Sequence, residues 1–112
     1  MEENKVKCAV DALLDKKAFD VKSLKVGPVT TITDYFVLAT GSSTSQIDAM
    51  VDSVEEAMRD NDYALKTREG KSQGGWVLLD YEDVVVHIFS QEMREFYNLD
   101  QTWRDAEAHD FK

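Results

Sequence analysis

Residues Gly74 to Phe89, GGWVLLDYEDVVVHIF, constrain this chain more than any other stretch. Two apolar runs, Trp76 to Tyr81 and Val84 to Phe89, flank a short acidic break, the pattern of two strands joined by a tight turn. Val84, Val85 and Val86 follow one another without a polar gap, as in a strand covered on both faces. With Glu82 and Asp83 as a two-residue loop, Asp80 faces Val85, Leu78 faces His87 and Trp76 faces Phe89, all on one side of the hairpin. The other side holds Val77, Leu79, Val84, Val86 and Ile88, with Tyr81 at its end. One side is aliphatic and suits packing under helices. The other mixes Trp76, Asp80 and His87 with apolar residues, as an interaction face does. A slip of one residue in register would regroup them all.

The rest of the chain supplies elements to surround this hairpin. Glu3 to Ala18 reads as a helix, with Val6, Val10, Leu13 and Leu14 on one face. Phe19 to Val26 reads as a strand ended by Gly27-Pro28, followed by a connection over Val29 to Thr33. Asp34 to Gly41, DYFVLATG, is a strong strand. It passes into a helix through Ser43 and Gln46, which have capping-box spacing. Ile47, Met50, Val51, Val54 and Met58 mark the apolar face of that helix, which stops near Asn61-Asp62. Tyr63 to Thr67 reads as a short strand and Arg68 to Gly75 as a glycine-rich loop. Ser90 caps a third helix over QEMREFYN. The tail, Leu99 to Lys112, reads as a closing turn of helix or a frayed end. The order α, β, β, α, β, β, β, α predicts one α/β domain over residues 1–112, a small mixed sheet of about five strands flanked by helices.

At 112 residues the chain is long enough to bury a core without a metal or disulfide. It carries 22 acidic against 13 basic side chains, a net charge of −9. Nucleic-acid affinity comes largely from Lys and Arg on phosphates, so little or no direct binding to RNA or DNA is expected. A basic protein surface suits this charge better, although solubility alone also accounts for it. Cys8 is the only cysteine, so the chain forms no internal disulfide, in keeping with a reducing compartment. No stretch approaches the roughly 20 apolar residues of a membrane span, and no leader-like apolar run follows the charged start. The expectation is a soluble, cytoplasmic protein.

Catalytic patterns are incomplete. Gly70-Lys71-Ser72 has the end of a P-loop, but the earlier glycine that would cradle phosphate is Leu65, and no helix follows. Gly41-Ser42-Ser43 at a strand-to-helix junction is a better anion candidate, and also has the look of the glycine-serine turn of nucleotidyltransferases. Those enzymes need paired carboxylates soon after the turn to hold Mg²⁺. Here Thr44, Ser45, Gln46 and Ile47 follow, and Asp48 stands alone. Asp80, Glu82 and Asp83 are three carboxylates in one turn, with His87 the only nearby soft ligand, which supports a metal site poorly. With His87 and His109 the only histidines, no nucleophile triad is identifiable. No cofactor, no metal and no enzymatic activity are expected.

DYFVLATGSS with Gln46, then Glu69-Gly70, WVLLDYEDVVVHIF, MREFYNLDQTW and Asp105-Ala106 resemble the ribosomal silencing factor, or Iojap, family over roughly Ala18 to Ala106. Two positions depart from the family's habit: Glu82 stands where glycine is usual in the hairpin turn, and Thr102 where an aliphatic residue precedes the tail tryptophan. The resemblance implies a nucleotidyltransferase-like fold without catalytic carboxylates. It implies a translational repressor that binds large-subunit ribosomal protein fourteen on the intersubunit face and blocks subunit association. Organellar relatives act in ribosome assembly, and some relatives are thought to be dimeric, which leaves room for a homodimer. On this reading Trp76 is the anchor, with Asp80, Tyr81 and His87 beside it. Asp34, Tyr35, Arg94 and Tyr97 are further partner-binding candidates because they stand in the matching strings. The alternatives are a residual nucleotidyltransferase or nucleotide-binding protein using Gly41-Ser42 and the carboxylates of Asp80 to Asp83, and a plain dimerisation module.

Overall fold

The computed structural model describes residues 2–111. The elements are α1 (Glu2–Asp15), β1 (Phe19–Lys25), β2 (Tyr35–Gly41), α2 (Thr44–Asp60), β3 (Thr67–Lys71), β4 (Trp76–Asp80), β5 (Val84–Ser90), α3 (Gln91–Tyr97), α4 (Leu99–Thr102) and β6 (Glu107–Phe111). They build a six-stranded mixed sheet in the order β3-β4-β5-β2-β1-β6. The central pair β2 and β5 is parallel, and every other neighbouring pair is antiparallel.

Sequence explains which strands lie inside. β2 and β5 are largely apolar and are buried along almost their whole length. β4 alternates, with Val77 and Leu79 buried and Trp76, Leu78 and Asp80 half-buried on the opposite side. The aliphatic side packs under α1 and α2, where Val37, Ala39, Val77, Leu79, Val84, Val86 and Ile88 meet Val10, Leu13, Met50, Val54 and Met58. A smaller second layer forms on the other side of the sheet. There Leu24, Phe36, Leu38, Val85 and Phe89 pack with Met93, Leu99 and Trp103 from α3, α4 and the segment after them.

Local signals act as their chemistry requires. The Gln46 amide donates to the Ser43 hydroxyl at 3.0 Å, capping α2. The Gln46 side chain reaches back one residue further than a simple capping box and accepts from the Ser42 amide and hydroxyl. Its Nε2 donates to the carbonyls of Lys16 and Lys17, both at 3.0 Å, so one side chain ties the end of α1 to the start of α2. α1 stops at Asp15, short of Ala18, because Lys17 takes a left-handed φ of 63°.

The hairpin has the two-residue loop. The Tyr81 amide donates to the Val84 carbonyl at 2.9 Å, and Trp76 pairs with Phe89, Leu78 with His87 and Asp80 with Val85. Glu82 sits at φ 79°, a conformation that glycine adopts without strain. The Asp80 carboxylate accepts the Glu82 amide at 2.7 Å and holds the turn in that shape.

Two expectations fail, both at sheet edges. The sheet has six strands, not five. Tyr63 to Lys66 is not strand; β3 lies at Thr67–Lys71, in the segment that reads as a loop. The tail is neither helix alone nor frayed, since Glu107–Phe111 pairs with β1, Ser23 opposite His109. Both strands are polar and almost wholly exposed, so backbone pairing rather than side-chain burial holds them, and alternation does not reveal them. No helix among the described residues is long and apolar enough to cross a membrane.

Candidate protein-binding face

The side of the sheet away from α1 and α2 carries a row of aromatic rings that runs from the interior to solvent. Trp103 meets Phe36 edge-to-face at 5.3 Å, and Phe36 meets His87 edge-to-face at 4.9 Å. His87 lies in offset stacking with Trp76 at 5.8 Å, and Phe89 with Trp76 at 5.5 Å. Tyr97, at the end of α3, leans on Trp76 at 4.4 Å, and Phe96 stands edge-on to Tyr97. The row emerges at Trp76, which is half-buried, at Tyr97, 41% exposed, and at Phe96, 74% exposed. Rings backed by a fixed core and open on one side are what an interface anchor requires.

His87 lies behind this surface, not on it. It is 4% exposed. The Trp76 indole Nε1–H donates to its Nδ1 at 3.1 Å, which puts the imidazole proton on Nε2. Among the described residues, Nε2 is buried without a hydrogen-bond partner. Burial disfavours the cation and pushes the pKa from 6.5 down to about 4. The sign follows from linkage. Between these values the unfolded chain binds a proton that the folded chain refuses, so stability is complete above 6.5 and falls as pH drops towards 4. From pH 7.5 to pH 5 this one residue should cost about 2 kcal/mol. Urea midpoints of the wild type and of His87→Phe over that range check it: the wild-type midpoint should fall relative to that of the variant as pH drops, and parallel profiles would contradict the assignment.

The structure gathers some of the expected site residues and separates others. Trp76, Asp80, His87 and Tyr97 share this side of the sheet. Tyr81 does not: it is 2% exposed in the aliphatic core under α1 and α2, and burial raises its hydroxyl pKa to about 12. Tyr35 is half-buried on that same far side. Asp34 lies at the end of the sheet by the hairpin turn, where its amide donates to the Asp83 carbonyl at 3.2 Å. Arg94 is 7% exposed and serves as an internal clamp. Its Nε and Nη2 donate to Asp100 at 3.0 and 3.3 Å, and its Nη1 to Thr40 Oγ1 at 2.8 Å and to the Asp20 carbonyl at 2.9 Å. These bonds, with Lys22 beside them, hold the Asp100 carboxyl below its usual pKa against the opposing effect of burial. Phe96, which belongs to the exposed face, is not singled out by sequence, whereas half-buried Leu78 lies on the side where the register puts it. A large aromatic beside Tyr97 on the third helix was the available signal for Phe96.

The Gly41–Thr44 turn opens on a cleft lined also by Ser72, Gly75 and Ser90. Among the described residues no Lys or Arg lines it, whereas Glu92 does, a poor setting for phosphate. The free amide and hydroxyl of Ser42 are already taken by Gln46. Among the described residues no group of three or more His, Cys, Asp or Glu side chains is placed to hold a metal ion.

Residues 1–112 match the family model described as ribosomal silencing factor during starvation. The chain is 38% identical over 98 residues to the ribosomal silencing factor of Halalkalibacterium halodurans, covering 88% of this chain and 84% of that one. It is 33% identical over 101 residues to mouse mitochondrial assembly of ribosomal large subunit protein 1, covering 84% of this chain and 42% of that longer protein. A crystal structure of a protein from Chromobacterium violaceum superimposes with a TM-score of 0.87 at 32% identity, over 90% of this chain and 84% of the other.

Proposed function

Since this chain belongs to the ribosomal silencing factor family, we propose that it represses translation without catalysis, by docking the Trp76 face on the large ribosomal subunit. The contact is with large-subunit ribosomal protein fourteen on the intersubunit surface, and the small subunit is excluded sterically. On this reading the protein works in the cytoplasm beside ribosomes, needs no cofactor, and meets protein rather than RNA.

One observation carries the reading: the aromatic row that leaves the core at Trp76 and ends at Tyr97 and Phe96, the latter 74% exposed. The inner rings pack the second core layer, while the exposed end of the row is the kind of apolar surface that marks an interaction site, and aromatic anchors dominate protein interfaces. The net charge of −9 supports a basic ribosomal-protein surface over RNA phosphates.

Sedimentation through sucrose tests the proposal. The purified protein should pellet with isolated large subunits and not with small ones, and pre-loading large subunits should reduce joined ribosomes when small subunits are added. Undiminished joining at saturating protein would contradict steric exclusion.

A further inference from the structure

We propose that His87 is a positioning residue whose Nδ1 holds the Trp76 indole in its docking orientation, so that Trp76 meets a partner with its ring alone. This rests on the reading of the Trp76 face as the docking surface. The indole has one hydrogen-bond donor, and that donor is spent on Nδ1 at 3.1 Å. Nothing polar on the ring remains for a partner, so recognition at this point runs through the ring's outer face and edge.

His87 is an odd choice for its position unless it supplies that acceptor. Its neighbours along the same side of β5 are Val85 and Phe89, and it sits in a layer of Phe36, Leu38 and Trp76. A phenylalanine would fill the same space without a buried polar atom. The imidazole instead leaves Nε2 with no partner, and an unpaired buried donor is destabilising. What offsets this is Nδ1, the acceptor that fixes the indole. A half-buried tryptophan otherwise turns about two side-chain torsions, and ordering it on binding weakens the complex. Stacking on His87 and Phe89 sets the plane of the ring, and the hydrogen bond sets which edge points inward.

Two substitutions separate positioning from packing. His87→Asn puts an amide oxygen close to where Nδ1 stands but removes ring volume. His87→Phe keeps the ring volume but removes the acceptor; His87→Leu serves the same purpose should the phenylalanine variant not fold. A purely structural role predicts that the asparagine variant is the worse of the two in every respect. Positioning predicts the reverse for binding. In the full-length protein, the ¹⁵N-indole resonance of Trp76 should stay hydrogen-bonded and slow to exchange in His87→Asn. It should move to a free-indole position in His87→Phe. Affinity for isolated large subunits should fall about tenfold in His87→Phe and stay within about threefold of wild type in His87→Asn. The proposal is overturned if His87→Phe binds as wild type, if folded His87→Asn binds no better than His87→Phe, or if the indole resonance is the same in all three proteins. Failure of the docking reading shows separately, as unchanged binding by Trp76→Ala, and the indole resonance then decides by itself whether His87 holds the ring.

Discussion

Trp76→Ala should bring affinity for large subunits down by about thirtyfold or more while leaving the protein folded. An interface anchor of this kind accounts for about 2 kcal/mol or more of binding. Trp76 is placed for that role, since His87 holds its NH edge and Phe89 and Tyr97 pack against its ring. Removing a half-buried indole also weakens the second core layer, by about 2 kcal/mol. A fold-neutral companion is therefore needed. Phe96 is 74% exposed, so Phe96→Ala should leave the urea midpoint unchanged and still weaken subunit binding several-fold. Sedimentation at matched protein concentrations, with circular dichroism as the folding control, reads both variants. Wild-type binding by folded Trp76→Ala would remove the site from this face.

Arg94→Ala should lower stability by about 3 kcal/mol, the lower end of what breaking a buried ion pair costs. The Arg94 side chain is 8% exposed, and its guanidinium joins three elements that sequence does not link: the Asp20 bulge at the start of β1, Thr40 on β2 and Asp100 on α4. The loss stays at the lower end because Asp100, 29% exposed, keeps Lys22 at 3.0 Å. Asp100 and Asp110 both lie within reach of Lys22, so α4 and β6 should loosen first, seen as lost amide-exchange protection from Leu99 to Phe111. Arg94→Lys keeps one charge but not the fork and should recover less than half of the loss. A midpoint within the scatter of wild type for Arg94→Ala would show that the clamp is not structural.

The hairpin was legible because its information is in burial. Valine on valine in β5 and alternation in β4 mark the two strands, and of the registers open to them the structure takes the one with a two-residue loop. The edge strands were not legible because burial is absent from them: Thr67–Lys71 and Glu107–Phe111 are held by backbone pairing, and their polar side chains read as loop and tail. The same gap explains the site. Register groups Trp76, Asp80 and His87 on one side of the hairpin, but the cover that α3, α4 and Trp103 lay over that side is a long-range event, so sequence assigns His87 to the interaction face while the structure buries it, 4% exposed. The family resemblance groups Tyr81 with the site, while alternation puts it at the end of the aliphatic side, which is where the structure buries it. Arg94 and Tyr97 stand three residues apart on α3. One turns inward to the ion pair and the other outward to Trp76, a division that a matching string of residues cannot express.

On the function proposed above, the Trp76 face meets large-subunit ribosomal protein fourteen. A photo-reactive p-benzoylphenylalanine in place of Phe96, which is 74% exposed at the end of the aromatic row, puts a short-range probe on that contact. Irradiated with purified large subunits, this protein should give one dominant cross-link, to ribosomal protein fourteen, and the same probe in place of the exposed Asp52 on α2 should give none. Cross-linking from position 52 with none from position 96, or a dominant cross-link from position 96 to ribosomal RNA, would contradict the account.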